Sequence, residues 1–550
     1  MKKRIFLLLC VSLSYLSLSV KAQSNAFAIT DARVVTVSGA IIERGTVVIR
    51  DGLIEAVGEN IKPPADALVI DGKGLTIYPG FLDTNTSLGI ARPAASPSPT
   101  PGASIPIIPQ SVPQQPSASN YPAGLRPDLD VVEQLRAGDA QFETQRNNGI
   151  TTVVTVSRDG IFNGQSAIIN LAGDTVSAMI IKSPFAHHIT FRTLQGGVYP
   201  TSLLGTFSAL RQMFLDAKRL QEWKKIYESN PRGIKRPEED KSLEALFPVI
   251  EGKMPVVFNA NTEIEIVRAL NLAKEFNLKA IIAGGHEAWK VADRLKAQNV
   301  PVLLSLNFPK RTSAASEEAD PEPLETLRFR AETLKCAGRL EKAGIKFAFQ
   351  SGGVQNYADI WANLNRAIEN GLSKEMAIKA LTLDAAEILG IADRLGSIEP
   401  GKIANLVVVR GDLFGKDRNI THVFVDGKLF EIKQQKEEKR PSGQSALTLA
   451  INLTGVWNLN IEAMGQTIPA TLNLIQQGNT LTGTFQTSIT GTSTIKEGRV
   501  NADTFSFSLE VTLGGTPTEV TFNGKLSGNQ ISGSIQSQQG VFSFSGTKTP

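Results

Sequence analysis

Apolar and polar positions along this chain follow three rhythms, each confined to its own stretch. Over 26–77, short alternating runs at 29–37, 45–50, 53–57 and 67–71 are punctuated by Gly, Asp and Pro. Asp51-Gly52 stands between two of these runs, the strongest short cue for a β-hairpin. The same style returns at 405–410 and 421–429, with Asp426-Gly427 as a second hairpin turn. Like pieces at the two ends of a long middle predict one composite β-sandwich, built from 23–77 and 397–432.

The middle, 78–396, has a different rhythm. Continuous apolar runs at 78–83, 150–156, 178–182, 255–260, 279–283, 300–306 and 345–351 alternate with helical patterns at 264–276, 288–298, 322–343 and 357–370. Parallel strands covered on both faces read as unbroken apolar runs. The alternation predicts an α/β fold, a TIM-type (β/α)8 barrel with one strand hidden from the pattern. A doubly wound open sheet is the alternative, but no glycine-rich phosphate loop supports it. Dense Pro, Ser and Ala at 91–127 interrupt the barrel just after its first strand and predict a flexible insertion, either spacer or lid.

A polar linker at 433–448 leads into the third rhythm. Residues 449–550 alternate at short spacing, are rich in Thr, Ser, Gly, Val and Phe, and lack helical periodicity. They predict an all-β barrel or sandwich of seven or eight strands. Its opening, Gly455-Val456-Trp457, resembles the start of lipocalin-like β-barrels.

Composition narrows the class without naming it. With 41% hydrophobic and 20% charged residues the chain is globular, and 550 residues imply two or three domains. A net charge of +4 gives no concentrated basic face, which argues against nucleic acid. Lys2, Lys3 and Arg4 precede an apolar stretch at 5–20, and Val20 and Ala22 stand before Gln23. That is a signal peptide over 1–22, predicting a periplasmic or extracellular protein with no membrane span after cleavage. Of two cysteines only Cys336 outlasts that cleavage, and its helical, charged setting marks it as a half-buried packing residue.

Two phrases carry a family resemblance. "DGKGLTIYPGFLDTNTSLG" (71–89) resembles the barrel entry of the metal-dependent amidohydrolase superfamily, especially its imidazolonepropionase-like members. "ALTLDAAEILGIADRLGSIEPGKIANLVVV" (380–409) is similar to that superfamily's last helix and return strand, and "GITTVVTV" and "NGQSAIINLAGDT" lie between them. The resemblance covers 26–432. It implies hydrolysis of non-peptide C–N bonds by a zinc- or iron-activated water, with imidazole and carboxylate ligands.

The ligand positions the resemblance implies are mostly filled by other residues. Asn85 and Ser87 stand where the family has a His-x-His pair, and Asn259 replaces a strand-five histidine. Ser351, or Gly352 in the neighbouring register, replaces a strand-eight aspartate; His286 alone is retained. Amide and hydroxyl oxygens bind zinc far more weakly than imidazole. Lys182 is one candidate for the strand-four residue. Adjacent His187 and His188 could reach a metal only if the backbone bends, because neighbours on a strand point to opposite faces, and they read as a polar loop. Asp83, Glu263 and Glu287 could run acid–base chemistry without metal.

Two functions follow. One is an exported amidohydrolase relative with catalysis impaired, kept for binding or for pairing with an active paralogue or its own copies. The other is an active hydrolase of cyclic amides or dipeptide-like substrates with an atypical site. Zinc or iron is implied only where some of the site survives.

Overall fold

The computed structural model describes residues 26–432 except 91–120, 123, 195–197, 311–321, 353, 355–356 and 358. It also describes 452–549 except 464–465, 488–489, 502–503, 514–515, 528 and 538–539. The expected signal peptide (1–22), the linker (433–448) and most of the Pro/Ser-rich insertion lie outside these residues.

The chain divides into two compact units, one holding the described residues to 432 and the other those from 452. The first begins with β1 (Ala26–Val34), β2 (Ile42–Arg50), β3 (Leu53–Gly58), β4 (Leu68–Asp71) and β5 (Leu75–Pro79). The β2–β3 hairpin turns at Asp51 and Gly52, both at positive φ, as its Asp-Gly pair predicts. Gly80 then separates β5 from β6 (Phe81–Thr86), where the sequence had suggested a single strand. A Cβ at Gly80 would lie 2.2 Å from Thr151 Oγ1, so only glycine lets the chain pass there.

The strands that follow are β7 (Ile150–Thr155), β8 (Phe162–Gln165), β9 (Ala167–Asn170), β10 (Ile180–Lys182), β11 (His187–Thr190), β12 (Val256–Ala260), β13 (Ala280–Gly284), β14 (Val302–Ser305) and β15 (Phe347–Gln350), all but β10 belonging to the barrel. β6 and β7 are parallel, and β11 through β15 are parallel in that order. The pattern hid two staves, β11 and β8–β9, and the second runs the other way: β9 is antiparallel to β7 and β8 to β11. β15 meets β6 through side chains, Thr84 Oγ1 donating to Phe349 O (2.8 Å) and Ser351 N to Asp83 Oδ1 (2.9 Å).

Five expectations are corrected here. Residues 176–179 are helical, and β10 is a short strand on the outer edge of β9 rather than a barrel stave. Lys182 therefore lies away from the barrel mouth, its Nζ reaching Leu389 O (3.3 Å). His187 and His188 are not loop residues: both are fully buried at the start of β11, the true fourth stave. Leu125, assigned to the flexible insertion, is buried, and Gly124 O accepts from Phe162 N. Cys336 is fully rather than half buried, and that burial pushes its thiol up to about 12.

Helices cover the barrel, among them Leu203–Ser229, Glu263–Phe276 and Asp359–Glu369. Glu263–Phe276 starts with a reciprocal cap between Thr262 and Glu265 and ends at Asn277 in the left-handed region. The chain then returns through β16 (Leu406–Arg410), β17 (Asn419–Val425) and β18 (Lys428–Glu431). β16 pairs with β5, so strands from both ends of this unit share one eight-stranded sheet. No helix among the described residues is long and apolar enough to cross a membrane.

The second unit holds β19 (Gly455–Ala463), β20 (Gln466–Gln477), β21 (Thr480–Thr487), β22 (Gly491–Thr494), β23 (Lys496–Asn501), β24 (Thr504–Leu513), β25 (Thr516–Ser527), β26 (Gln530–Ser537) and β27 (Gly540–Lys548). Neighbours pair antiparallel from β19 through β27, and β20 pairs with β21 to close an eight-stranded barrel that excludes only β22. Trp457, Leu472, Phe507 and Phe522 fill its interior.

Candidate functional site

Inward-facing residues at the ends of the barrel strands enclose a pocket of about 270 Å³. Strand pairing puts Thr190, Asn259 and Ala283 at one level and Ser305 beside Gln350. Asn85 comes from β6, Arg158 from the turn after β7, and Asn261, His286, Asn307 and Gly352 from the loops beyond β12 to β15.

Most of these groups are neutral, and they bind one another. Asn259 Nδ2 donates to Thr190 Oγ1 (3.0 Å) and Ile189 O (3.3 Å), with Asn163 Oδ1 at 3.4 Å. Ile189 O can only accept, which fixes the orientation of the Asn259 amide. Asn259 Oδ1 accordingly accepts from Asn85 Nδ2 at a long 3.4 Å. Asn85 Oδ1, buried and without a partner, is left over. Gln350 Nε2 is tied to Leu303 O (2.7 Å).

His286 is the one imidazole lining the pocket. Gly284 and Gly285, both at positive φ, turn the chain out of β13 to present it. Burial holds its pKa down at about 4, so it is neutral at ordinary pH, and its Nε2 has no protein partner. His187 and His188 are elsewhere: His187 Nε2 meets Ala245 O (2.9 Å) and His188 Nε2 meets Ser166 Oγ (3.0 Å). Burial lowers them to about 4 and about 3.

Asp83 is fully buried beneath this ring, and burial pushes its carboxyl up to about 6 despite the bond from Ser351 N. Glu263 and Glu287 lie outside the pocket, in a larger neighbouring cavity of about 930 Å³ lined also by Trp289 and Phe329. There Lys290 Nζ pairs with Glu287 (2.7 Å) and approaches Glu263 (3.8 Å). The two glutamates are a surface ion-pair cluster and not an acid–base pair facing the barrel.

Of the positions the resemblance implied, the fold brings Asn85, Asn259, His286 and Gly352 to one pocket. Ser87 is exposed and takes no part in it. Ser351 is buried and engaged with Asp83 through its main chain. Gly352 has φ +63°, and a Cβ there would lie 2.1 Å from Ser305 Oγ. The pocket also contains Arg158, Thr190, Asn261 and Asn307, which sequence reasoning did not single out. For Arg158 the usable signal was its position just past a barrel strand, on the face where barrel sites form.

A model described as the amidohydrolase family matches residues 317–430. An adenine deaminase of Clostridium botulinum (strain Loch Maree / Type A3) is 42% identical over 66 residues, 12% of this chain and 10% of that one. A dihydroorotase of Anaeromyxobacter dehalogenans is 37% identical over 65 residues, 12% of this chain and 15% of that one. The chain thus matches only about a tenth of the length of such deaminases. A solved amidohydrolase from Thermotoga maritima MSB8 is matched along its whole length, covering 74% of this chain at 25% identity with a TM-score of 0.60. With the barrel and its mouth as described, these likenesses make the chain similar to amidohydrolases in fold along its first unit and in sequence over 317–430.

The superfamily's zinc or iron does not fit the residues present. Such a metal needs several imidazoles and carboxylates converging. Among the described residues no group of three His, Cys, Asp or Glu side chains does so. The mouth offers one neutral imidazole surrounded by amides and hydroxyls.

Proposed function

We propose that this chain is an exported amidohydrolase-fold protein that has given up metal-dependent hydrolysis of C–N bonds and keeps its barrel mouth for binding. The observation that carries the reading is the amide relay. Asn85 and Asn259 stand at two of the family's ligand positions, and Asn85 Nδ2 donates to Asn259 Oδ1, so the Asn259 oxygen is engaged within the protein instead of being offered to a cation. Gly352 adds to it, because an aspartate at that position would overlap Ser305 and would need a strained backbone. Export is supported by the basic-then-apolar start of the chain, and a mature N-terminus at Gln23, read by mass spectrometry, tests it.

Elemental analysis of the mature chain tests the loss of metal. The expected result is zinc and iron at background, unchanged after incubation with excess zinc. About one equivalent of either metal, lost on His286→Ala, would overturn the reading and restore the atypical hydrolase, to be assayed on cyclic amides.

A further inference from the structure

Among the described residues, the mouth pocket contains a guanidinium without a counter-ion at contact distance. Arg158 lines the pocket and is solvent-exposed, and its Nη2 donates to Asn85 O (3.1 Å). Among the described residues no carboxylate makes an ion pair with it. The buried Asp83 carboxyl acts on it only through space. An arginine fork beside neutral donors matches a carboxylate better than any neutral group does.

The second feature is the buried, unpartnered acceptor. The Asn259 amide is oriented by Ile189 O, and Asn85 must therefore turn its Nδ2 inward and leave Oδ1 over. An acceptor left unmatched in a closed site is costly, so a bound molecule that donates a hydrogen there is favoured over one that does not. Arg158 is anchored on the main chain of that same Asn85, which keeps the cation and the acceptor close together. A volume of about 270 Å³ suits a small molecule. A phosphate dianion would meet one cation above the buried Asp83, whereas a monoanion balances it.

We infer that the barrel mouth binds a small organic carboxylate with an O–H or N–H donor on the neighbouring carbon. The carboxylate lies on Arg158 and the donor on Asn85 Oδ1. This deepens the metal-free reading of the mouth and rests on it.

Calorimetry on the mature full chain at neutral pH, with glycolate, acetate and glycolamide as probes, tests the inference. Glycolate is expected to bind more tightly than acetate, and glycolamide not at all. Arg158→Gln, an exposed change that spares the fold, should weaken glycolate by about tenfold or more. Arg158→Lys should recover part of that loss, keeping the charge but not the fork. Asn85→Ala should bring glycolate and acetate to equal affinity. If the buried Asn85 variant fails to fold, the Arg158 pair still decides. Glycolamide binding as well as glycolate, no heat with either acid, or an unaffected Arg158→Gln would each overturn the inference. Metal measured in the same sample separates the two failures. Binding that requires zinc and is lost on His286→Ala sinks the metal-free reading, whereas a metal-free chain that ignores both acids sinks only this one.

Discussion

His187 and His188 occupy successive positions of β11 and are both fully buried, their ring Nε2 atoms on Ala245 O and Ser166 Oγ. Burial keeps them neutral down to about pH 4 and pH 3, and His286 down to about pH 4. In the unfolded chain the same rings take protons near pH 6.5. Between about 6.5 and 4 the unfolded state binds more protons, so acid removes stability across that window. Asp83 works the other way. Its folded pKa of about 6 lies above the unfolded value of 3.8, so folding gains from its proton at low pH and loses that gain as pH rises from about 4 to 6. Three imidazoles against one carboxyl predict a net fall in stability toward acid. Urea unfolding at neutral pH and near pH 5 checks this, with the midpoint expected to drop. His188→Gln should flatten the drop by an amount on the order of 1–3 kcal/mol. A parent chain equally stable at both values would remove the argument.

The return strand is fastened to the barrel by a buried polar cluster. Asn405 Nδ2 donates to Asn170 Oδ1 (2.9 Å) and Thr152 Oγ1 (3.0 Å), and its Oδ1 accepts from Asp426 N (2.8 Å). Asn170 in turn donates to Asp426 Oδ1 (2.6 Å). Asn405→Leu removes three hydrogen bonds at once and leaves Asp426 N without its acceptor, while Thr152 Oγ1 still donates to Asn170 Oδ1, and should cost about 2–4 kcal/mol in chemical denaturation. A loss below about 0.5 kcal/mol would mean that the cluster is slack. Asn405 belongs to the phrase "GKIANLVVV", whose family resemblance marked the return strand in the sequence but not this polar joint. Apart from β11, which was read as a polar loop, the parallel staves were legible too, as continuous apolar runs. The antiparallel β8–β9 stave was not, because "FNGQSAIIN" is broken by Asn, Gly and Gln and its direction is set by its partners. Adjacency misled at His187-His188: one side chain packs toward the outer helices and the other toward Ser166, and both remain buried. At the mouth, the replaced ligand positions could be read from the resemblance. The Asn259–Asn85 relay could not, since it depends on which way two amides turn.

The described chain is two units with separate cores, and the second carries its own means of holding together. Its eight strands close on themselves, so every strand of the ring has a partner on both sides and no long edge is left open. The interior is packed with side chains, including the ring stack of Phe507 on Phe522 at 4.7 Å. Gly524 and Gly533 pair on adjacent strands, and Phe505 packs over that gap: a Cβ at Gly524 would lie 2.4 Å from its ring. A closed ladder and a core of its own predict that 449–550 folds without the rest of the chain. Of the four tryptophans only Trp457 lies in this stretch, fully buried, so its emission reports this barrel alone in the isolated segment. Cooperative urea unfolding with a red shift of Trp457 emission is the expected outcome. Gly524→Ala should lower the midpoint by the equivalent of about 1–3 kcal/mol, because the added methyl has to displace Phe505. If the isolated segment already emits like solvent-exposed tryptophan in buffer, its core depends on the first unit after all. A folded segment indifferent to Gly524→Ala would instead mean that Phe505 moves aside freely, and the tight packing read from the glycine gap would be wrong.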